Sequence, residues 1–354
     1  MEKPVLAALL SINSYKLSDV EKYLFEKYNP LGVILFNRNI QSEKQTAQLV
    51  NSVKEVICRD DVLIAVDEEG GRVRRLKYDN SDELASQNIL GQADNLQLTE
   101  IHSKIISEKM KNIGANMVFA PVLDIDYSNT TIALKNRCFG SNKEKIVTHG
   151  KIMCETYIHQ GICPCIKHIP GHGRAFDDPH AKLPMINNPI KDLQADFYPF
   201  KQLKNMPAAM SAHILLKQID DKNPVSVSKK IISEIIRNEI GFNGLLISDS
   251  IDMHALKGNI VQKALSVWNA GCDIVSYCRA AENEMIELCK SGKYMQDESL
   301  KRFEKIKSII CRKKETIVLD NQKKHYYSAI SSFTEKTIIY DATEILHQLK
   351  KGEN

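Results

Sequence analysis

Eight short runs of Val, Ile, Leu, Ala and other small or apolar residues recur along the chain, at residues 5–10, 32–36, 62–66, 116–120, 162–166, 208–212, 244–247 and 272–276. Each is separated from the next by a longer segment with helical spacing. That alternation is the pattern of a parallel α/β protein, in which every strand is followed by a crossover helix. Within the runs, polar and apolar residues do not alternate, so the strands should be buried on both faces, by helices outside and by a packed interior within. At 354 residues the chain is long enough to bury one large core, and no internal repeat, low-complexity tract or linker divides the series. The expectation is an α/β fold, a (β/α)8 TIM-type barrel forming one catalytic domain over residues 1–315, with a short C-terminal appendage, 316–354, packed on the barrel.

Helix starts are marked by capping residues. Ser18 with Glu21, Ser42 with Gln45 and Ser141 with Glu144 each match the reciprocal capping box. Gly241 stands where a left-handed cap should end the helical segment 229–240. Two connections, residues 68–94 and 123–140, are longer than the rest, and long loops on a compact barrel usually carry function. Beyond residue 290 the pattern loosens into Lys-rich helices, with 300–310 apolar at helical spacing and a strand-like run at 337–340.

Composition removes several function classes. A hydrophobic content of 43% with 26% charged residues is that of a soluble globular protein, and no stretch approaches the roughly 20 apolar residues needed to span a bilayer. The net charge of +4 is scattered among nearly equal numbers of both signs, without the basic face that nucleic acid requires. Residues 5–12 are too short, and Glu2 too acidic a flank, for a signal peptide, so they read as the first strand. Nine cysteines, with Cys163, Cys165, Cys272 and Cys278 inside apolar runs, point to reduced thiols packed as small hydrophobes and to a cytoplasmic location. Cys163-Pro164-Cys165 has neither zinc nor thioredoxin spacing.

In a parallel barrel the active site lies where the strands end. The apolar runs here end in Asp67-Glu68-Glu69-Gly70-Gly71-Arg72, in Leu123-Asp124, in Lys167-His168, in His213 and in Ser248-Asp249, whereas Gly, Asn and Pro precede most of them. Solvation would decorate both rims, so ionisable groups on one rim indicate a common pocket. The richest stretch is Lys167-His168-Ile169-Pro170-Gly171-His172-Gly173-Arg174-Ala175-Phe176-Asp177-Asp178-Pro179-His180, whose glycines and prolines resist regular structure and leave its polar side chains free to converge. Asp249, at a strand end, has the setting of a nucleophile or cation stabiliser; the alternative is an N-cap for the next helix. Asp178 lies two residues before His180, close enough to orient and charge-stabilise an imidazole that donates and then accepts a proton; a structural hydrogen bond is the alternative. His168, His172 and His180 with Asp178 have no diagnostic zinc spacing. The pair Gly70-Gly71 lacks phosphate-loop or dinucleotide spacing and reads as backbone room beside a ligand.

The same segments carry a resemblance to a known family. Gly-Val-Ile-Leu-Phe at 32–36, Asp67-Glu68-Glu69-Gly70-Gly71-Arg72-Val73, Ala120-Pro121-Val122-Leu123-Asp124, Arg137-Cys138-Phe139-Gly140, Lys167-His168-Ile169-Pro170-Gly171-His172-Gly173, Asp178-Pro179-His180, Met210-Ser211-Ala212-His213 and Ser248-Asp249 together resemble glycoside hydrolase family 3, specifically its single-domain bacterial β-N-acetylglucosaminidases of peptidoglycan recycling. The resemblance implies that Asp249 is the nucleophile, that His180 is the general acid and base polarised by Asp178, and that Asp67, Arg75, Arg137, Lys167 and His168 hold the sugar. It implies a retaining exo-β-N-acetylglucosaminidase acting on terminal β-linked N-acetylglucosamine joined to 1,6-anhydro-N-acetylmuramic acid. The expected partner is a small-molecule sugar or muropeptide, with no cofactor, no metal, no nucleic acid and no membrane insertion, and the chain is expected to be a monomer. Departures from the family pattern are Ser250 where a second aspartate is common, Pro179 for Ser between Asp and His, Arg174 for a residue often acidic, and His254 for one often smaller. Two other readings keep the same pocket. One is a phosphorylase, since an imidazole does not repel phosphate as a carboxylate does. The other is a catalytically weak muropeptide sensor.

Overall fold

The computed structural model describes residues 3–78, 84–176, 183–312 and 319–333. Its core is a closed barrel of eight parallel strands. In chain order the strands are β1 (Leu6–Ser11), β2 (Pro30–Leu35), β3 (Leu63–Val66), β4 (Met117–Val118), β5 (Cys163–Ile169), β6 (Met185–Ile186), β7 (Ala208–Ser211), β8 (Leu215–Leu216), β9 (Leu245–Ser250) and β10 (Ile274–Tyr277). The barrel runs β1-β10-β9-β7-β5-β4-β3-β2 and closes where β2 pairs with β1. All eight apolar runs are barrel strands, offset by a few residues from the expected limits. Their residues are buried on both faces, which is why the runs carry no alternation. The short pair β6 and β8 was not anticipated; it stands apart from the barrel and joins the segment after β5 to the segment after β7.

Around the barrel lie α1 (Asp19–Tyr28), α2 (Glu43–Ile57), α3 (Gln87–Ala93), α4 (Leu96–Asn112), α5 (Lys143–His159), α6 (Ile190–Gln202), a π-helix (Ile231–Glu239), α7 (Ile260–Ala270), α8 (Glu282–Ser291) and α9 (Asp297–Ile310). The capping signals hold in part. Ser18 and Glu21 form the full reciprocal box at α1. Ser42 caps α2 by accepting from Gln45 N, but the Gln45 side chain accepts from Gln41 N instead of closing the box. At α5 the cap is Asn142, which accepts from Lys145 N, so the start falls one residue after Ser141. An Asn side chain reaches the free N–H groups of a first turn as well as Ser does, and sequence spacing does not separate the two. Gly241 adopts φ +74° after the π-helix, and Phe242 N then bonds back to Ile236 O.

A last helix, α10 (Asp320–Ile330), lies against α4. It is fixed by Tyr326, whose hydroxyl accepts from Ala85 N at 2.9 Å and meets His102 Nδ1 at 2.8 Å. The strand-like run at 337–340 lies outside the described residues. No helix among the described residues is long and apolar enough to cross a membrane.

Candidate active site

The residues that follow β3, β4, β5, β7 and β9 share the mouth of the barrel because all eight strands run the same way. Lys167, near the end of β5, points its ammonium at two carboxylates from the loop after β3: Asp67 Oδ1 at 2.8 Å and Glu69 Oε1 at 2.5 Å. Arg137, from the long loop after β4, meets the same Glu69 with two parallel bonds, Nε to Oε2 at 2.9 Å and Nη2 to Oε1 at 2.8 Å. Burial alone would push the Glu69 carboxyl up, but the charges of Arg137 and Lys167 outweigh it and hold the carboxyl well below the ordinary carboxylate range. Lys167 is raised for the converse reason: burial opposes its charge, and Asp67 and Glu69 overcome that penalty. The result is a hydrogen-bonded cluster in which Asp67 is the more open carboxylate, with 18% of its side chain exposed against 2% for Glu69.

Glu68 anchors the same loop from beneath. Its Oε2 accepts from Arg75 N at 2.7 Å and Leu76 N at 3.0 Å, and burial pushes its pKa up. Arg75 is itself buried on this loop. The glycine pair before it makes room for the protein, not for a ligand. A Cβ on Gly70, at φ +96°, would lie 2.2 Å from Ala85 O and 2.7 Å from the His102 ring, and one on Gly71 would lie 2.7 Å from Ser86.

His168 is turned away from the lysine cluster toward Asp124, the residue that ends the run of β4. Its Nδ1 lies 2.7 Å from Asp124 Oδ2, and the other oxygen, Oδ1, accepts from His172 N at 2.7 Å. Burial would raise the Asp124 carboxyl, but His168 beside it and the His172 N–H bring it below its usual value. Gly173 then passes so close to the loop from β4 that a Cβ would sit 1.9 Å from Ile125 O. The His172 imidazole is buried 5.8 Å from the His168 ring, centroid to centroid, and burial lowers its pKa to about 4.

Asp249 is partly exposed near the end of β9, with Oδ1 accepting from the next N–H, that of Ser250, at 2.7 Å. It is not a helix cap: α7 begins eleven residues later, behind its own cap Asn259. His213 stands beside it, fully buried between Ser226 Oγ at 2.6 Å and Ser250 O at 3.0 Å; burial lowers its pKa, and the Asp249 carboxylate acts against that shift. Asp178 and His180 lie outside the described residues. The structure thus brings together Asp67, Lys167 and Arg137 through Glu69, and places His168 with Asp124. Glu69 and Asp124 stand among the strand-end residues in the sequence, but their spacing assigns them no role. The signal that could have found them is Lys167 itself: a cation inside an apolar run needs a buried anion to balance it. Among the described residues no three His, Cys, Asp or Glu side chains are grouped so as to hold a metal ion.

The arrangement is a set of charge-assisted hydrogen bonds at the same end of the barrel as the Asp249 carboxylate. Comparison with known proteins shows the family. The model of the glycosyl hydrolase family 3 N terminal domain matches residues 5–309. A beta-hexosaminidase of Neisseria meningitidis serogroup A is 33% identical over 287 residues, covering 78% of this chain and 78% of its own. A beta-hexosaminidase of Glaesserella parasuis serovar 5 is 31% identical over 292 residues, covering 81% of this chain and 84% of its own. Among solved structures, NagZ from Neisseria gonorrhoeae in complex with N-trifluoroacetyl-D-glucosamine aligns at a TM-score of 0.79 and 26% identity over 93% of this chain and 97% of that one. A glycoside hydrolase family 3 β-N-acetylglucosaminidase from Paenibacillus sp. shares the fold at a TM-score of 0.81 and 24% identity, over 92% of this chain and 66% of that one. With its whole barrel matched by that family domain, the chain belongs to glycosyl hydrolase family 3 and is a glycoside hydrolase.

Proposed function

We propose that this chain is a retaining exo-β-N-acetylglucosaminidase that removes terminal β-linked N-acetylglucosamine from 1,6-anhydro-N-acetylmuramic acid, with or without stem peptide, during peptidoglycan recycling in the cytoplasm. The observation that carries the reading is Asp249: a carboxylate near the mouth end of β9, partly exposed and not committed to capping a helix, on the same rim as the Asp67–Lys167–Glu69–Arg137 cluster. The relatives named beta-hexosaminidase support the substrate class. Nine free cysteines, six of them buried, support a reducing compartment.

In the first step an Asp249 oxygen attacks the anomeric carbon as the bond from that carbon to the bridging oxygen breaks. The protonated His180 gives its proton to the departing oxygen, and Asp178 steadies the imidazolium. In the second step the now neutral imidazole takes a proton from water, the water oxygen attacks the anomeric carbon, and Asp249 leaves as carboxylate. Two inversions at one carbon retain its configuration. Asp67, Arg75, Arg137, Lys167 and His168 hold the hydroxyls of the sugar, a task suited to charge-assisted hydrogen bonds. Residues 1–315 form the catalytic barrel in this reading, and 316–354 an appendage whose helix α10 docks on α4.

The test is hydrolysis of a chromogenic β-N-acetylglucosaminide, with chelator present, by the wild type, Asp249→Ala and His180→Ala, each with and without phosphate. The expected result is turnover that survives chelator and falls by about 10⁴-fold or more in Asp249→Ala, with free sugar released in both buffers. Sugar phosphate as the product would replace hydrolysis by phosphorolysis. No turnover by the wild type on this substrate or on an anhydromuropeptide would overturn the enzymatic reading.

A further inference from the structure

Arg174 occupies the stretch between the sugar-holding end of β5 and the position of Asp178 and His180, four and six residues further on. Its guanidinium is fixed from three sides. Nε lies 2.5 Å from Asp196 Oδ2 on α6, Nη2 donates to Asp192 O at 3.1 Å, and the Tyr127 ring lies beneath it, 4.4 Å from Cζ to the ring centroid. Asp196 is nearly fully buried, and its Cβ lies 2.8 Å from where a Cβ on Gly171 would be, so α6 packs directly under the Pro170-Gly171 turn. From the other side the loop after β4 holds the same stretch: Thr130 Oγ1 donates to Gly173 O at 2.6 Å and Thr131 N to Ala175 O at 3.2 Å. Downstream, the chain is caught again where Leu215 N donates to Pro184 O and β6 pairs with β8.

An ion pair with one partner buried and the other half-buried adds little net stability, so its effect here should be on geometry. It presents one planar fork, locked by a carboxylate and a ring, at the last described turn before the proton-transfer residues. We infer that Arg174 and Asp196, with Tyr127, are positioning residues that fix the chain at residue 174, four residues before Asp178 and six before His180, and so act on the proton-transfer step through those two residues. The inference rests on the assignment of His180 as general acid. It gives Arg174, a departure from the family pattern, a function of its own: the root of the acid-bearing segment is clamped to α6 by charge.

A merely structural role and a positioning role differ in how they depend on the leaving group. The ratio kcat/KM covers steps up to cleavage of the glycosidic bond. A 2,4-dinitrophenyl glycoside leaves without needing a proton, whereas a β-linked disaccharide needs one. The experiment measures kcat/KM on both substrates for the wild type, Arg174→Ala, Arg174→Lys, Asp196→Asn and His180→Ala, with circular dichroism and thermal melting as folding controls.

Arg174→Ala and Asp196→Asn are expected to lose about 10- to 100-fold on the disaccharide and less than about 3-fold on the dinitrophenyl glycoside. Arg174→Lys, which keeps the charge but not the fork, should fall between them and the wild type, and it reads the same ratio should Arg174→Ala fail to fold. His180→Ala must show the same selective loss, only larger. If it does not, the assignment of the acid fails. If it does, while folded Arg174 and Asp196 variants lose equally on both substrates or on neither, the positioning inference is overturned.

Discussion

Arg137 lies alongside Glu69 so that two of its nitrogens reach the two carboxylate oxygens, at 2.9 and 2.8 Å, although 68 positions separate the residues in sequence. Glu69 also takes Lys167, so one buried carboxylate neutralises two cations that would otherwise face each other. The two cations proposed to hold the sugar are therefore held in place by a third residue, Glu69.

Glu69→Gln removes that counter-charge without changing the side chain's shape. Arg137 and Lys167 are left with only Asp67 to share, and the expected cost is about 3 kcal/mol of folding stability together with a rise in KM. Urea unfolding and initial-rate kinetics would check both, and an unchanged KM in a folded variant would show that the cluster does not organise the sugar site.

Asp124→Asn weakens two supports at once, the bond to His168 Nδ1 and that to His172 N. One amide oxygen cannot replace two carboxylate oxygens, so about 2 to 3 kcal/mol should be lost, visible as a lower urea midpoint with unchanged m-value. The variant should also bind a competitive sugar inhibitor more weakly by calorimetry, because the imidazole of His168 loses its fixed orientation.

Gly173→Ala tests whether the close crossing of the loops from β4 and β5 is required. The added methyl would lie 1.9 Å from Ile125 O, a backbone atom that no side-chain rotation can move aside. A destabilisation of about 2 kcal/mol or more is expected from differential scanning calorimetry, and a variant as stable as the wild type would mean that the crossing relaxes at little cost.

Acid should unfold this protein through its buried histidines. Burial lowers His102 and His172 from 6.5 to about 4. A folded pKa below the unfolded one means that the unfolded chain binds the proton first, so the stability is complete above pH 6.5 and is lost as pH falls toward 4. Each histidine should cost about 2 kcal/mol by pH 5 and about 3 by pH 4. His102→Gln should remove one such share of the slope. The measurement is urea unfolding at pH 7, 6 and 5, and a wild-type stability flat across that range would reject burial as the controlling effect.

How far the sequence alone reached can be followed residue by residue. The strands were legible because a strand buried on both faces must be a continuous apolar run. The mouth of the barrel was legible because parallel strands put all their C-terminal ends on one side, so Asp67, Asp124, Lys167 and Asp249 could be placed at one rim from sequence position alone. Ser18 was a readable cap because its partner lies three residues away, and local hydrogen bonds depend on local order.

What needed the tertiary structure is every relationship that crosses the barrel. Lys167 reaches Asp67 from 100 positions away, and Tyr326 meets His102 from 224. Nothing in the spacing of Gly70 and Gly71 told that Ala85, His102 and Ser86 fill the room they leave, nor that Arg174 would find Asp196. The residue types and their rim follow from periodicity, which is a property of the chain. Which cation meets which carboxylate depends on barrel closure and on the paths of the loops, and only the packed fold, by excluding water from those pairs, makes them strong enough to matter.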